Sequence, residues 1–217
     1  MSSLPAYRTL ARAGLFETVI KKSRFIGQCA PAANEEDALA FVRAAREAHK
    51  AASHHCYAYI LGANAGLMRY QDDGEPQGTA GIPILEVMKK NRLVYCAAVV
   101  TRYFGGVLLG AGGLTRAYSA AAAGAVQSAG IVMAEPSARL SLALAYPYWD
   151  AAERALSKLP VTAVEKAFAE NVRVSLIVRL SDLDSVLESL TSLTDGRAAI
   201  DVSEAFHHLW PQADVPG

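Results

Sequence analysis

The sequence of residues 70–118 is YQDDGEPQGTAGIPILEVMKKNRLVYCAAVVTRYFGGVLLGAGGLTRAY, and this stretch decides how the first half of the chain folds. An acidic turn leads into a helix, then into a β-branched strand that ends at Arg102, and then into a loop with five glycines before another helix. Glycine lets backbone N–H groups approach a ligand closely, and a helix N-terminus adds positive potential. The pattern therefore predicts a site for an anion such as a phosphate.

The groups that could hold this anion are cations, one aromatic residue and the loop glycines. Arg102 follows an apolar run, so its guanidinium must reach solvent or find a carboxylate or phosphate partner. Tyr103 and Phe104 next to it could stack on bases. Lys21, Lys22 and Arg24 form a basic turn that either contacts phosphate or is a solvated hairpin tip. The candidate anion-binding residues are Lys22, Arg24, His54, Arg102, Tyr103, Gly105, Gly106, Gly110, Gly112, Gly113 and Arg116. The alternative is a tight crossover in which the glycines only admit positive φ angles and close helix packing.

The glycine spacing matches neither GxGxxG nor GxxxxGK[ST], which disfavours dinucleotide and Walker-type nucleotide sites. We expect no cofactor. The acidic residues Asp72, Asp73 and Glu75 could bind a divalent cation or act as general acid and base. Alternatively, they form a turn whose acids are solvated or pair with Arg102 or Arg116. Both interpretations remain open from the sequence.

Metal chemistry has little support elsewhere in the sequence. His54 and His55 are adjacent on a predicted strand, so their side chains point to opposite faces and do not readily share one ion. We find no cluster of His, Asp and Glu of the kind that a metallopeptidase needs. No metal site is predicted, no catalytic residue is identified, and a non-enzymatic function is favoured over an enzymatic one.

Length and composition predict two domains, since the chain has 217 residues of which 52% are apolar. Residues 1–130 carry fourteen Lys/Arg against nine Asp/Glu, a balance of +5, whereas the remainder carries seven against twelve, a balance of −5. A basic first half could meet a polyanion, and an acidic second half would discourage indiscriminate nucleic-acid binding. Ordinary solvated surface is the alternative.

The start of the chain lacks the features of a secretory signal, and the uncharged span 117–134 is too rich in Ala, Gly and Ser to favour a membrane. Three widely spaced cysteines are typical of reduced thiols rather than of a disulfide framework. We therefore expect a cytoplasmic protein without a membrane partner.

Periodicity and turn signals predict alternating strands and helices throughout. In the first half, strands are predicted at 9–20, 24–30, 54–61 and 94–104, and helices at 34–50, 80–90 and 114–129. In the second half, the prediction is a strand at 138–146, a helix at 149–159, strands at 161–169 and 172–180, a helix at 182–193 and a strand at 198–204. This βαββαβ order is that of a ferredoxin-like domain. The predicted domains are 1–133 and 134–206, followed by a flexible tail at 207–217.

Several long motifs resemble the YigZ/IMPACT family. They are KKSRFIG at 21–27, HHCYAY at 54–59, DDGEPQGTAG at 72–81, VVTRYFGG at 99–106 and LGAGGLTRAY at 109–118. The resemblance implies an α+β protein with a first domain of the ribosomal-protein and RNase PH type of α/β sandwich. It implies that the second half is similar to the ferredoxin-like C-terminal domain of bacterial members.

The resemblance also implies a role in translation. Eukaryotic relatives regulate translation under amino-acid stress through an additional N-terminal interaction domain, so we do not carry that partner over to the residues present here. Our leading hypothesis is a cytoplasmic regulator of translation that binds RNA or a ribosome-associated protein through the basic first domain, without sequence-specific DNA binding. The alternative hypothesis is a Mg²⁺-dependent enzyme acting on a phosphorylated metabolite or nucleic acid, with Asp72 and Asp73 holding the ion.

Overall fold

The computed structural model describes residues 4–211 and shows the predicted mixture of helices and antiparallel sheets, an α+β protein. Contacts divide the chain into two compact units. Within the described residues, the first unit comprises 7–133 and 209–211, and the second comprises 4–6 and 134–208.

The first unit is a five-stranded antiparallel sheet with helices on both faces. Its elements are β1 (Tyr7–Leu10), β2 (Gly14–Ile20), β3 (Ser23–Pro31), α1 (Glu35–Ala48), β4 (His54–Leu61), β5 (Leu67–Gln71), α2 (Gly81–Lys90), β6 (Cys96–Tyr103) and α3 (Ala111–Ala129). The sheet order is β2-β3-β6-β4-β5, so β6 lies at the centre and β1 is not one of the five strands. Helix α1 packs on one face, and α2 and α3 pack on the other.

The central strand is buried on both sides, as its unbroken apolar sequence predicts. Cys96, Ala98 and Val100 belong to the core under α2 and α3. Ala97 and Val99 alternate with them and lie among the buried residues on the α1 side. The end of this strand is therefore enclosed by protein, and this enclosure determines the environment of Arg102.

Helix α3 lies unusually close to the sheet because glycines face it. A Cβ at Gly27 would lie 2.1 Å from the carbonyl oxygen of Ala121, and one at Gly14 would lie 2.2 Å from that of Ala125. The helix contributes small buried residues, including Ala121 and Ala125, so backbone meets backbone. This close approach places the start of α3 next to the hairpin β2–β3.

Helix α1 begins as its sequence predicts. The side-chain oxygen of Asn34 accepts a hydrogen bond of 2.9 Å from the backbone N–H of Asp37. Three acidic residues occupy the first turn and favour the positive end of the helix dipole.

The second unit has the predicted succession βαββαβ, followed by one further strand. The elements are β7 (Ile131–Leu144), which begins in the first unit, a short 3₁₀ turn (Tyr146–Tyr148), α4 (Trp149–Leu156), β8 (Val161–Phe168), β9 (Val172–Arg179), α5 (Leu183–Leu193), β10 (Ala199–Val202) and β11 (Phe206–Pro211). The antiparallel order is β8-β9-β7-β10. Leucines and valines on one sheet face form a core with both helices, around Leu142 and Leu176.

Several predicted elements and boundaries differ from the structure. The strand predicted at 9–20 is two strands, because the chain bends after Leu10 and the N–H of Ala11 bonds to the carbonyl of Gly130. Strand β7 begins at Ile131 rather than at 138. Strand β5 was missed because it is a partly exposed edge strand without apolar alternation. Part of the predicted flexible tail is strand β11, which holds the buried Trp210, and residues 212–217 lie outside the described part.

The three cysteines are unpaired and buried, as expected from their number and spacing. Burial raises the pKa of the Cys29 thiol to about 11 and that of the Cys56 thiol to about 12. These thiols therefore stay protonated near neutral pH. Across residues 4–211, no helix is both long and apolar enough to cross a bilayer.

The close packing of α3 gives a direct test. Gly27→Ala should lower the free energy of unfolding by about 1–3 kcal/mol or more, because the added methyl group would overlap the backbone of Ala121. Urea denaturation followed by circular dichroism measures the change. Gly106→Ala is the matched control, since among the described residues no atom beyond its two chain neighbours lies within 4 Å of its Cβ position and its positive φ of 80° is what opposes the substitution. Equal losses in the two variants would contradict the packing argument.

Candidate functional site

The candidate site lies in the first unit, where three sequence motifs meet. The tip of the β2–β3 hairpin carries Lys21 and Lys22, and the loop after β6 packs directly on it. A Cβ at Gly105 would lie 2.1 Å from the backbone carbon of Lys22, so only glycine allows this contact. The loop then leads into α3, whose second turn carries Arg116.

Arg102 lies inside the protein rather than on this surface. It is 4% exposed, and its Nη1 donates a hydrogen bond of 2.6 Å to Oε1 of Glu75. The guanidinium carbon lies 5.4 Å from the centre of the Phe25 ring and 5.3 Å from that of Phe104. Of the two partners that the sequence allowed, carboxylate or phosphate, the structure shows the carboxylate. The expected contact between Arg102 and an external anion is therefore replaced by an internal ion pair.

Glu75 is the centre of this buried network. Besides the bond from Arg102, its Oε1 accepts a hydrogen bond of 2.7 Å from the hydroxyl of Tyr118 on α3. Burial is the main cause that raises the pKa of Tyr118, so its hydroxyl remains a donor. His54 lies beside the pair, with its Nε2 3.9 Å from Oε1 of Glu75 and its Nδ1 2.8 Å from the carbonyl of Asp73. His54 is thus part of the internal network.

The network also fixes the glycine loop. Nη2 of Arg102 lies 3.3 Å from Oγ of Ser23, and the same oxygen accepts a hydrogen bond of 3.1 Å from the backbone N–H of Gly105. The ion pair, the hairpin and the loop are therefore connected through one serine. Arg102 and Glu75 therefore hold the hairpin tip and the glycine loop in place from inside the protein.

The carboxylates of the acidic turn have a structural role. Oδ1 of Asp72 accepts hydrogen bonds from the backbone N–H groups of Ala80 and Gly81, at 3.1 and 2.8 Å, and its Oδ2 accepts one of 2.8 Å from Gly78. The second acid, Asp73, accepts from the Arg46 guanidinium and from the backbone N–H of His55, both at 2.7 Å. Within residues 4–211, no group of three or more His, Cys, Asp or Glu side chains is arranged to hold a metal ion. These contacts fit the alternative in which the acidic residues form a turn and pair with arginines. The arginine partners are Arg46 and Arg102, and not Arg116.

Arg24 and Tyr103 lie on the other side of the sheet from Arg102. They are opposite each other in the β3–β6 register, and the Arg24 guanidinium lies 5.5 Å from the centre of the Tyr103 ring. Arg24 forms an exposed ion pair of 2.6 Å with Glu17, and the Tyr103 hydroxyl lies 3.1 Å from Nδ1 of His49. Because side chains alternate along a strand, these two residues do not join Arg116.

The structure instead brings Lys21 and Arg116 together. They line one cavity of about 280 Å³ whose lining residues are Ile20, Lys21, Leu109, Gly113, Arg116, Ala117 and Ala120. Within the described chain, neither cation forms an ion pair, and the same is true of Lys22. Leu109 was not among the residues that the sequence predicted for the site. Lys21 belongs to the predicted basic turn with Lys22 and Arg24, and the structure places it at the tip of the hairpin.

The turn itself is unusual. Lys21 and Lys22 have φ angles of 45° and 66°, and they connect Ile20 to Ser23, which pair directly in the β2–β3 register. A two-residue hairpin with both φ angles positive favours Asn-Gly or related pairs, because residues with a larger Cβ substituent are strained there. The chain nevertheless has two lysines at this tip.

The remaining loop glycines allow the chain to turn. Gly106 and Gly110 have φ angles of 80° and 73°, and in the described part of the chain no atom beyond the adjoining residues lies within 4 Å of a Cβ built on either. The segment between them exposes apolar side chains, including Leu108, which is 82% exposed, and Val107, with Phe104 just before it. Gly112 and Gly113 lie in the first turn of α3, where backbone N–H groups have no partner within the helix.

The buried network gives the next prediction. Glu75→Gln should reduce the free energy of unfolding by about 3–5 kcal/mol, because it leaves Arg102 as a buried charge without a counter-ion. Denaturant unfolding measures the loss. The control is Glu17→Gln in the exposed pair with Arg24, which should change the midpoint little. The double variant Glu75→Gln/Arg102→Met should be less destabilised than the sum of the single variants, and strict additivity would show that the two side chains are not coupled.

Comparison with known proteins agrees with the motifs. The Impact N-terminal domain family matches residues 21–126, which include the hairpin tip, the acidic turn, the glycine loop and most of α3. The IMPACT family member YvyE of Bacillus subtilis (strain 168) is 38% identical over 201 residues, which cover 93% of this chain and 93% of the relative. The IMPACT family member YigZ of Escherichia coli (strain K12) is 48% identical over 101 residues, which cover 46% of this chain and 50% of the relative.

A crystal structure of a hypothetical protein is also similar over nearly its whole length. It superimposes with a TM-score of 0.59 and 29% sequence identity, covering 91% of this chain and 97% of its own. The shared motifs, the matched domain and the nearly full-length relative together show that the chain belongs to the YigZ/IMPACT family.

Proposed function

We propose that this protein is a cytoplasmic regulator of translation that binds RNA, including RNA exposed on the ribosome, through a basic loop surface. We define this surface as Lys21, Lys22, Arg116 and the exposed loop 104–110. The observation that carries the proposal is the pair of lysines in a hairpin tip whose backbone disfavours them, next to a third cation, Arg116, that forms no ion pair within residues 4–211.

The strained turn costs folding stability, and a cost of this kind is typical of functional sites. It therefore supports a binding role. Non-glycine residues with positive φ persist where the surrounding structure holds them, and they concentrate at functional sites. Asn-Gly at positions 21 and 22 would relieve the strain, yet the chain has the two residues that add positive charge. Since Lys21, Lys22 and Arg116 form no ion pair in the described chain, their charge is available to an external anion.

The loop adds apolar groups to this charge. Leu108 is 82% exposed, and Phe104 and Val107 are also exposed. Proteins that bind single-stranded nucleic acid combine cations for the phosphates with apolar and aromatic groups for the bases. Phe104 is held by the Arg102 guanidinium, and Gly105 is held by Ser23, so this part of the loop is organised before a ligand arrives.

The contacts of the acidic turn favour RNA binding over a Mg²⁺-dependent enzyme. The oxygens of Asp72 already accept three backbone N–H groups, and Oε1 of Glu75 accepts from Arg102 and Tyr118. A cation held there would have to displace these donors. The turn instead holds Glu75 where the network needs it.

We assign the units to fold families as part of the same proposal. For residues 1–133, the antiparallel sheet with helices on both faces supports the ribosomal-protein and RNase PH type of α/β sandwich. For residues 134–206, the order βαββαβ and the strand order β8-β9-β7-β10 support a ferredoxin-like domain. The three buried, unpaired cysteines support a cytoplasmic location.

A salt titration tests the proposed surface. We expect the wild-type protein to bind a single-stranded RNA oligonucleotide with an affinity that falls steeply with salt concentration. Lys21→Ala/Lys22→Ala should weaken binding and reduce the slope of log K against log salt by roughly 1.4, if each lysine neutralises one phosphate. Fluorescence anisotropy gives both quantities. The control Lys89→Ala/Lys90→Ala removes the same charge from the end of α2, and equal effects from the two double variants would refute the proposed surface.

The strained turn makes a second prediction, in which stability and binding change in opposite directions. Lys21→Asn/Lys22→Gly should raise the free energy of unfolding by about 1 kcal/mol, because both residues then tolerate positive φ. The same variant should lose RNA affinity to the same extent as the alanine double variant. Thermal denaturation and anisotropy on one preparation measure the two effects. A variant that gains no stability would contradict the strain argument, and one that keeps full RNA affinity would contradict the binding role.

A further inference from the structure

We propose that the cavity between the hairpin tip and α3 is a nucleotide pocket, in which Lys21 and Arg116 hold a phosphate and the apolar floor receives a nucleobase. This inference rests on the proposed function and makes it more specific. The protein would bind RNA by taking one base into this pocket, in addition to its contacts along the phosphate backbone.

The charge of the cavity favours a phosphate as the anionic group of the ligand. Of the residues that line it, Lys21 and Arg116 are cations and none is acidic. Two cations, one a compact ammonium and the other a planar fork of donors, match a phosphate dianion better than a single carboxylate. Both side chains belong to exposed residues, so the pocket opens to solvent.

The apolar floor of the cavity favours a nucleobase as the group that is attached to the phosphate. Ile20, Leu109, Ala117 and Ala120 provide aliphatic surface below the two cations. Ile20 and Leu109 are partly buried against the main core, and Ala117 belongs to it, so this surface is rigid. Nucleobases pulled out of a stack are often held between apolar side chains, and the desolvated faces of a base suit such a slot. An inorganic anion alone would leave the floor unused.

The volume limits the ligand to one nucleotide-sized group. At about 280 Å³, the cavity lies just below the range of roughly 300–1,000 Å³ that is usual for small-molecule pockets. Small residues on α3 keep it open. Gly113 has little room for a side chain, since its Cβ would lie 3.0 Å from the Cβ of Leu109. Ala120 is exposed and lines both this cavity and the neighbouring one, so a larger residue there would add bulk at the cavity wall and not in the buried core.

Ala120 allows a test that separates the pocket from general electrostatics. We expect adenosine 5′-monophosphate to bind the wild-type protein at least tenfold more tightly than ribose 5-phosphate or inorganic phosphate, since a base contact is worth about 1–3 kcal/mol. Ala120→Leu should weaken AMP binding at least tenfold while leaving every charge in place. Arg116→Gln should weaken all three ligands. Calorimetric titration of the full chain gives the affinities, and amide shifts of Gly113 and Ala120 in NMR spectra locate the site.

Ala123→Leu is the matched control. It makes the same substitution on an exposed residue of the same helix, but residue 123 does not line this cavity. Unchanged AMP binding in Ala120→Leu, or equal weakening in both leucine variants, would overturn the pocket. Binding of octanoate in preference to AMP would overturn it as well, because the cavity would then take an apolar carboxylate.

The two proposals can fail separately. If the wild-type protein and Ala120→Leu bind RNA equally and AMP does not bind, the surface contacts only the RNA backbone and the pocket proposal is wrong. If AMP binds as described but Lys21→Ala/Lys22→Ala leaves RNA affinity and its salt slope unchanged, the pocket serves a free nucleotide and the RNA proposal is wrong.

Discussion

The buried ion pair between Arg102 and Glu75 is the interaction on which the first unit depends most. A guanidinium at the end of a strand covered on both faces cannot reach water, so the fold must supply a counter-charge. Asp72 helps to position Glu75, because its hydrogen bonds to three backbone N–H groups shape the turn that contains Glu75. The pair then orders Ser23, and through it Gly105, so the charge buried inside determines the shape of the loop outside.

Two contrasting sets stand out among the basic residues of the first unit. Arg24, Arg46 and Arg102 form ion pairs with acids of the same unit and serve the structure. In the described chain, Lys21, Lys22 and Arg116 have no such partner, and they surround the tip of the hairpin and the start of α3. A count of charges over the first half cannot separate the groups, since both contribute equally to the sum. The separation matters because only unpaired cations can attract a phosphate without first losing an internal contact.

The close approach of α3 to the sheet connects packing with the surface. Gly14 and Gly27 remove side chains from the sheet face, and alanines remove them from the helix, so the helix start reaches the hairpin tip. The cavity lies at this junction. A larger residue at Gly27 would therefore be expected to move the walls of the pocket as well as to reduce stability. Strain in the turn at Lys21 and Lys22 is tolerated because the surrounding sheet and loop hold both ends of the hairpin.

The sequence by itself determined the family, the α+β class and most elements, because these depend on local patterns. The two-sided burial of β6, the Asn34 cap of α1 and the unpaired cysteines could all be predicted from neighbouring residues or from spacing. Only the tertiary structure decided that Arg102 bonds to Glu75, 27 positions away, and that Lys21 shares a cavity with Arg116 on another element. The sequence allowed Arg102 either a carboxylate or a phosphate, and the choice depended on which charge the folded chain brought within hydrogen-bonding distance. Ionic partners are selected by distance in space and by burial, and neither quantity is a property of a local stretch of sequence.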